Sequence, residues 1–202
     1  MTATCLEYAL PIRKGRPAVV APPHPLYGGR LDHPVVEALA SALTDSGYAA
    51  LRFNWRGIGA SSGRPSGDLA DGIEDYRTAL AEARRIAAGA TGRRDARALA
   101  AGYSFGAITA AEVALDDAAG IERLVLVAPP VAMLDSVDLR SCEAPVHVVV
   151  GGSDSFAPVN ALGKLLEPCR DARLDVIPDA DHFFSLPFWM DRLGELVRAA
   201  LL

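Results

Sequence analysis

Ser104 lies between two glycines, in Gly102-Tyr103-Ser104-Phe105-Gly106, where the apolar run "ARALAAG" (96–102) gives way to an Ala-rich helical pattern. A serine on a sharp strand-to-helix turn is presented as a nucleophile. The helix beginning behind it aims free N–H groups and a positive dipole end at the reaction centre. Side chains at the two glycine positions would collide with the neighbouring strand and helix, and the turn itself forces the serine into an unfavourable backbone conformation. The same spacing also suits a purely structural turn, so the nucleophile reading needs partners elsewhere. A serine hydroxyl is a poor nucleophile near neutral pH. It requires a base, and the base requires a group that orients it.

Strand ends are where such partners belong in a parallel sheet, at the carboxyl side. The run "PVHVVVG" (145–151) is followed by Asp154 in "GSDSFAP", and "RLDVIP" (173–178) by His182 in "DADHFF". The chain has four histidines: His24, His33, His147 and His182. His147 sits inside an apolar strand and reads as core, while His24 and His33 flank an N-terminal loop. His182 is therefore the expected base. For the acid, Asp154 competes with Asp135 and Asp138 after the preceding strand. Asp179 and Asp181 are too near His182 in sequence to reach behind its ring easily.

Acyl transfer also needs preorganised donors for a developing oxyanion, often two backbone N–H groups. Phe105, just after the serine, is the expected first donor. The second should come from the loop "PPHPLYGGRLDHP" that follows "PAVVAP" (17–22). Pro22, Pro23 and Pro25 have no N–H to give, which leaves His24, Leu26 and Tyr27. His24 is nearest the required place. Tyr27, Trp55 and Tyr103 are expected to line the substrate site, Trp55 alternatively packing beside the nucleophile with Asn54. Arg56 reads as support for its loop. Among Phe183, Phe184, Phe188 and Trp189, an acyl pocket competes with core contacts for the last helix, and core contacts are expected for most.

The elements that must hold these residues alternate along the chain. Strands are expected at 17–22, 48–54, 96–102, 123–129, 145–151 and 173–178, short and apolar, as strands buried on both faces should be. The run "CLEYAL" (5–10) is a candidate edge strand. Helices are expected at 34–46, about 68–89, 105–118, 158–167 and 188–201. Pro34 suits a first turn, Gly47 a left-handed end, and Asp68 a cap. Leu69, Ile73, Tyr76 and Leu80 share a helical face, with Tyr76 a core residue. Alternation of this kind predicts a single domain over 1–202, a three-layer α/β/α sandwich around a mostly parallel sheet, with no separate lid.

Composition is ordinary for a globular chain of 202 residues: 50% hydrophobic and 22% charged, enough to bury a core. A net charge of −5 implies no basic surface for nucleic acid or anionic membrane; Arg93 and Arg94 read as a solvated loop. Cys5, Cys142 and Cys169 are odd in number and far apart, which argues against a disulfide framework or a metal site. The opening residues lack a signal-peptide pattern and no run is long enough for a membrane span. A cytoplasmic location is expected.

Together, "PPHPLYGG" (22–29), "RFNWRGIGASSG" (52–63) and "GYSFG" (102–106), followed by "GSDSFAP" and "ADHFF", resemble a small, lidless branch of the α/β-hydrolase superfamily over about residues 17–190. The branch carries an "HPHPLYGG" loop, an "RFNxRGxGxSxG" segment and a G-x-S-x-G elbow, and the chain order Ser104, Asp154, His182 is the superfamily's. The resemblance implies the minimal fold of that superfamily, serine-hydrolase chemistry and no cofactor or metal. Pro22 departs from it: a histidine that buttresses the loop stands there in the branch, so altered loop support is expected with the triad retained.

A rival reading takes "RGIGASSG" as a dinucleotide fingerprint. Pro65 and Gly67 interrupt the place where a helix would have to start, and no acidic residue ends a strand at the required distance. The expectation is therefore a hydrolase of a small carboxylic ester or related acyl compound, with an open site favouring small or extended substrates and weak selectivity. A thioesterase or peptidase of the same chemistry, or a non-catalytic binding protein on the same fold, is the alternative.

Overall fold

The computed structural model describes residues 5–10, 15–92 and 95–202, so the Arg93-Arg94 doublet lies outside the described residues. Among the described residues, seven strands form one sheet: β1 (Tyr8–Ala9), β2 (Arg16–Ala21), β3 (Tyr48–Phe53), β4 (Ala98–Tyr103), β5 (Ile121–Val127), β6 (Val146–Gly151) and β7 (Ala172–Ile177). Their spatial order is β1-β3-β2-β4-β5-β6-β7, and only β1 runs antiparallel to its neighbour. Long helices join them: α1 (Pro34–Asp45), α2 (Leu69–Thr91), α3 (Phe105–Asp116), α5 (Val159–Leu166) and α6 (Pro187–Leu201), with a short α4 (Val131–Leu134) after β5.

β4 carries no charged residue, and β2, β5 and β6 are mostly apolar, because both faces are covered. Alternate residues feed two separate cores. On β2 and β4, Val19, Ala21, Ala98 and Ala100 face the core built with α2, α3 and α5. Ala18, Val20, Leu99, Ala101 and Tyr103 face the core built with α1 and α6. The expected three layers are thus present, with no separate lid among the described residues.

Differences from expectation fall at the edges. The segment 5–10 pairs only through Tyr8 and Ala9, to Phe53 and Arg52. β7, expected to be buried on both faces, is half-exposed because no strand lies beyond it. Short 3-10 turns at Pro25–Tyr27 and Leu139–Ser141 carry no periodic signal and were not expected. Asp68 does precede α2, but its side chain makes no capping bond.

Tyr76 is buried as expected, and it also carries a polar task. Its hydroxyl accepts the Ala101 N–H at 2.9 Å, and it lies 3.2 Å from the Val19 carbonyl and 3.1 Å from that of Ala101. The helix α2 is thereby fastened to β2 and β4, immediately before the elbow. Tyr76→Phe removes the hydroxyl that meets the Val19 and Ala101 backbone, at a cost of about 0.5–1.5 kcal/mol. Urea unfolding is expected to show that loss with little change in slope.

Candidate active site

The turn after β4 gives Ser104 a φ of 55° and ψ of −118°, in the region L-residues avoid. The flanking glycines make it feasible. A Cβ on Gly102 would stand 2.0 Å from the Gly106 carbonyl oxygen, and one on Gly106 would stand 2.5 Å from those of Ala21 and Pro22. The end of β2 and the start of α3 therefore touch backbone to backbone, and the loop after β2 lies against the elbow.

Ser104 Oγ is 3.0 Å from His182 Nε2, and His182 Nδ1 is 2.8 Å from Asp154 Oδ2. The three sit after β4, β6 and β7. The other Asp154 oxygen accepts the Phe156 and Ala157 N–H groups at 2.8 and 2.9 Å, a local turn of the kind aspartate favours. Both Asp154 and His182 are buried. Since the carboxylate only accepts, Nδ1 must carry the imidazole proton, which leaves Nε2 free to accept from the serine.

The rival acids are not part of this arrangement. Asp138 is engaged by Arg140 and Ser141, and Asp181 by the Phe183 and Ser185 amides and the Ser185 hydroxyl. A second histidine–aspartate pair does exist: His147 Nε2 lies 2.8 Å from Asp175 Oδ2. It has no serine beside it, and its Nδ1 is buried without a partner, which fits the core role expected for His147.

The loop after β2 turns tightly at His24, whose carbonyl accepts the Tyr27 and Gly29 N–H groups at 3.0 Å each. Its Nδ1 accepts the Leu26 N–H at 3.2 Å, and its ring meets that of Phe105 at 4.9 Å between centroids. Burial pushes the His24 imidazole below its ordinary pKa, a backbone hydrogen bond to Gly67 acting the other way. Neither the His24 nor the Phe105 amide N–H has an acceptor among the described residues.

Two expected substrate contacts need correction. Trp55 is 1% exposed and its indole N–H donates to the Pro23 carbonyl at 2.8 Å; it struts the loop from behind and does not face a substrate. Tyr103 is also 1% exposed, and its hydroxyl donates to the His182 carbonyl at 2.9 Å. It positions the histidine backbone, because the residue before the elbow serine points into the α1–α6 core. Tyr27, in contrast, is 86% exposed. The aromatic cluster divides evenly: Phe184 and Trp189 are core, Phe183 and Phe188 are exposed.

Asn54 and Arg56, both in the segment after β3, are supports. Asn54 is buried, accepting the Leu31 N–H and donating to Glu7. Arg56 binds Asp71, Glu74 and the buried Asp75, whose hydrogen bonds and charge raise its pKa over the opposing effect of burial. The support expected of Arg56 is thus toward α2. With Pro22 in place, the strut on the neighbouring Pro23 carbonyl is Trp55. A cavity of about 550 Å³ lined by Leu6, Tyr8, Leu51, Phe53 and Glu82 opens at the β1–β3 edge and contains none of the residues around Ser104, so volume does not locate the chemistry.

A parallel sheet crossed by these helices, with a serine elbow after the strand between β2 and β5, defines the α/β-hydrolase fold in its small lidless form. The chain belongs to the family described as serine aminopeptidase, S33, whose model matches residues 28–138, more than half of it. It is 30% identical to an uncharacterised protein of Rickettsia prowazekii over 83% of this chain and 71% of that one. Among solved structures it is similar to an alpha-beta serine hydrolase homologue from Coxiella burnetii, at 29% identity and a TM-score of 0.84, covering 98% of this chain and 92% of the other. A serine hydrolase without a lid from Xanthomonas campestris matches at 27% identity and 0.77, over 98% and 88%. No helix among the described residues is long and apolar enough to cross a membrane.

Burial of His147 pushes its imidazole below the ordinary value of 6.5, and Asp175 pulls the other way without overcoming it. The unfolded chain then takes up a proton near that pH which the folded chain resists. The contribution of the neutral ring is complete above pH 6.5 and is lost as the pH falls below it. Urea unfolding is expected to show stability declining as the pH falls through about 6.5, the ordinary value of the unfolded imidazole. His147→Gln should reduce that slope, the remainder coming from His24 and His33, both also lowered by burial.

Proposed function

We propose that the chain is a serine esterase that cleaves a small carboxylic ester through an acyl-enzyme on Ser104. The observation that carries this reading is the unbroken hydrogen-bonded line from Ser104 through His182 to Asp154 at 3.0 and 2.8 Å, on a serine held at positive φ. His182 Nε2 takes the Ser104 proton as Oγ attacks the carbonyl carbon, and the carbonyl π electrons move to oxygen. The Phe105 and His24 amides, both without another acceptor, receive that oxyanion. Asp154 holds the Nδ1 proton and stabilises the imidazolium without taking the proton itself.

Collapse of the intermediate expels the alkoxide, which leaves as alcohol with the proton from Nε2. Water then attacks the acyl-enzyme, giving its proton to His182, and the acid departs as Ser104 recovers its own. No metal or organic cofactor enters any step. Tyr27, exposed beside His24 with ring centroids 4.7 Å apart, is the substrate contact on the oxyanion side. An ester is favoured over an amide because an alkoxide is the easier leaving group for an open site. The family's aminopeptidase description makes amino-acid amides the comparison to run beside esters and thioesters. A small acyl compound is the proposed partner, and the cytoplasm the proposed location.

A fluorophosphonate probe should label the wild-type protein and leave Ser104→Ala unlabelled. An unlabelled wild type that is demonstrably folded would mean that the elbow is structural. Asp154→Asn should lower kcat/KM on a responsive ester by about 10⁴-fold while the fold is kept, because the substituted amide favours the wrong imidazole tautomer. A loss below tenfold would remove Asp154 from the mechanism.

A further inference from the structure

The exposed rings of Phe156 and Phe183 belong to no core cluster, yet both rest on the base. Phe156 lies tilted against the His182 imidazole at 4.8 Å between centroids, and Phe183 stands edge-on to it at 5.5 Å. They are 56% and 62% exposed. Their backbones are fixed by carboxylates, the Phe156 N–H by Asp154 at 2.8 Å and the Phe183 N–H by Asp181 at 3.1 Å. Two large apolar side chains are therefore held in place and left open to water, at a cost that packing does not recover.

Their position decides which part of a substrate they meet. In triad chemistry the imidazole that takes the serine proton hands it to the leaving oxygen, so the leaving group must sit against the base. The oxyanion, by contrast, sits with the Phe105 and His24 amides. We infer that Phe156 and Phe183 form the leaving-group site, and that the preferred substrates are esters of flat, apolar alcohols such as arylalkyl alcohols. This assignment rests on the esterase reading above and adds the alcohol half of the substrate to it. Weak selectivity, expected of an open site, then applies to the acyl side and not to the alcohol side.

Stacking an aromatic alcohol on these rings removes apolar surface of both partners from water before the C–O bond breaks, and preorganised rings lose little freedom in doing so. The test compares benzyl acetate with 2-(2-methoxyethoxy)ethyl acetate, whose alcohols are similar in size and basicity and differ in polarity. Both give the same acetyl-enzyme, so deacylation cancels and the ratio of their kcat/KM values reports binding and acylation, up to departure of the alcohol. The wild type is expected to favour the benzyl ester by about tenfold or more, and Phe156→Ser with Phe183→Ser to bring the ratio towards one. Both side chains are exposed, and circular dichroism checks that the double variant folds.

Rings that merely shielded the imidazole from water would, on replacement, slow both esters together and leave the ratio where it was. That result, or a wild-type ratio near one, overturns the leaving-group assignment while the continued turnover upholds the esterase reading. Fluorophosphonate labelling of Ser104 without turnover of either acetate overturns this assignment and keeps the activated serine. Absence of both labelling and turnover overturns the two readings together.

Discussion

The contact of bare backbones at the elbow governs how the rest of the chain is arranged. Without a Cβ on Gly102 or Gly106, the end of β2, the end of β4 and the first turn of α3 meet at distances that no other residue type allows. That closeness brings the loop after β2 beside the serine, and it turns the first amide of α3 into an unpaired donor. It also holds Ser104 at a φ it would not adopt alone. The conformational penalty is borne because β4 is buried throughout and pinned to α2 by the Tyr76 hydroxyl.

Around that contact, the site is oriented more by main-chain groups than by side chains. Two successive amides hold the Asp154 carboxylate, the His182 carbonyl is held by Tyr103, and the Pro23 carbonyl by Trp55. The Ala157 and Tyr103 bonds lie where water is excluded, and there an unmet donor or acceptor is costly enough to fix one geometry; the Phe156 and Trp55 bonds are part-buried. Such an arrangement fits a small protein without a lid: precision comes from buried supports, and access comes from leaving the substrate side uncovered.

How much of this was legible in the chain follows from the physics of each feature. The central strands show as apolar runs because both faces are buried, and the elbow shows because its glycines have a steric reason. Ser104, Asp154 and His182 could be brought together from strand ends alone, since a parallel sheet gathers those ends on one side. Tyr103 does not line the site, and of the two roles open to Trp55 the packing one holds. An aromatic residue beside a motif is equally suited to line a site or to prop it from behind. Which way it points depends on strand parity and on the neighbouring layer: Tyr103 shares its face with Leu99 and Ala101, which turn into the α1–α6 core. The edge at β7 left a partial trace, since Arg173 and Asp175 alternate there where β4 carries no charge, but Leu174, Val176 and Ile177 still read as an apolar strand. Phe156 gave no signal because a single aromatic in a loop has no period to break.

The bonding of Arg56 bears on how the segment after β3 is held to α2. Asp71 and Asp75 stand one helical turn apart on α2, with Glu74 between them, and Asp75 is buried. Like charges side by side on a helix repel modestly, and among the described residues the cation they share is the guanidinium from the segment after β3. Closing the loop of 15 to 19 residues between them offsets that repulsion in the first half of α2. One guanidinium thus ties the segment after β3 to two successive turns of α2, so that strand, loop and helix share a single electrostatic anchor.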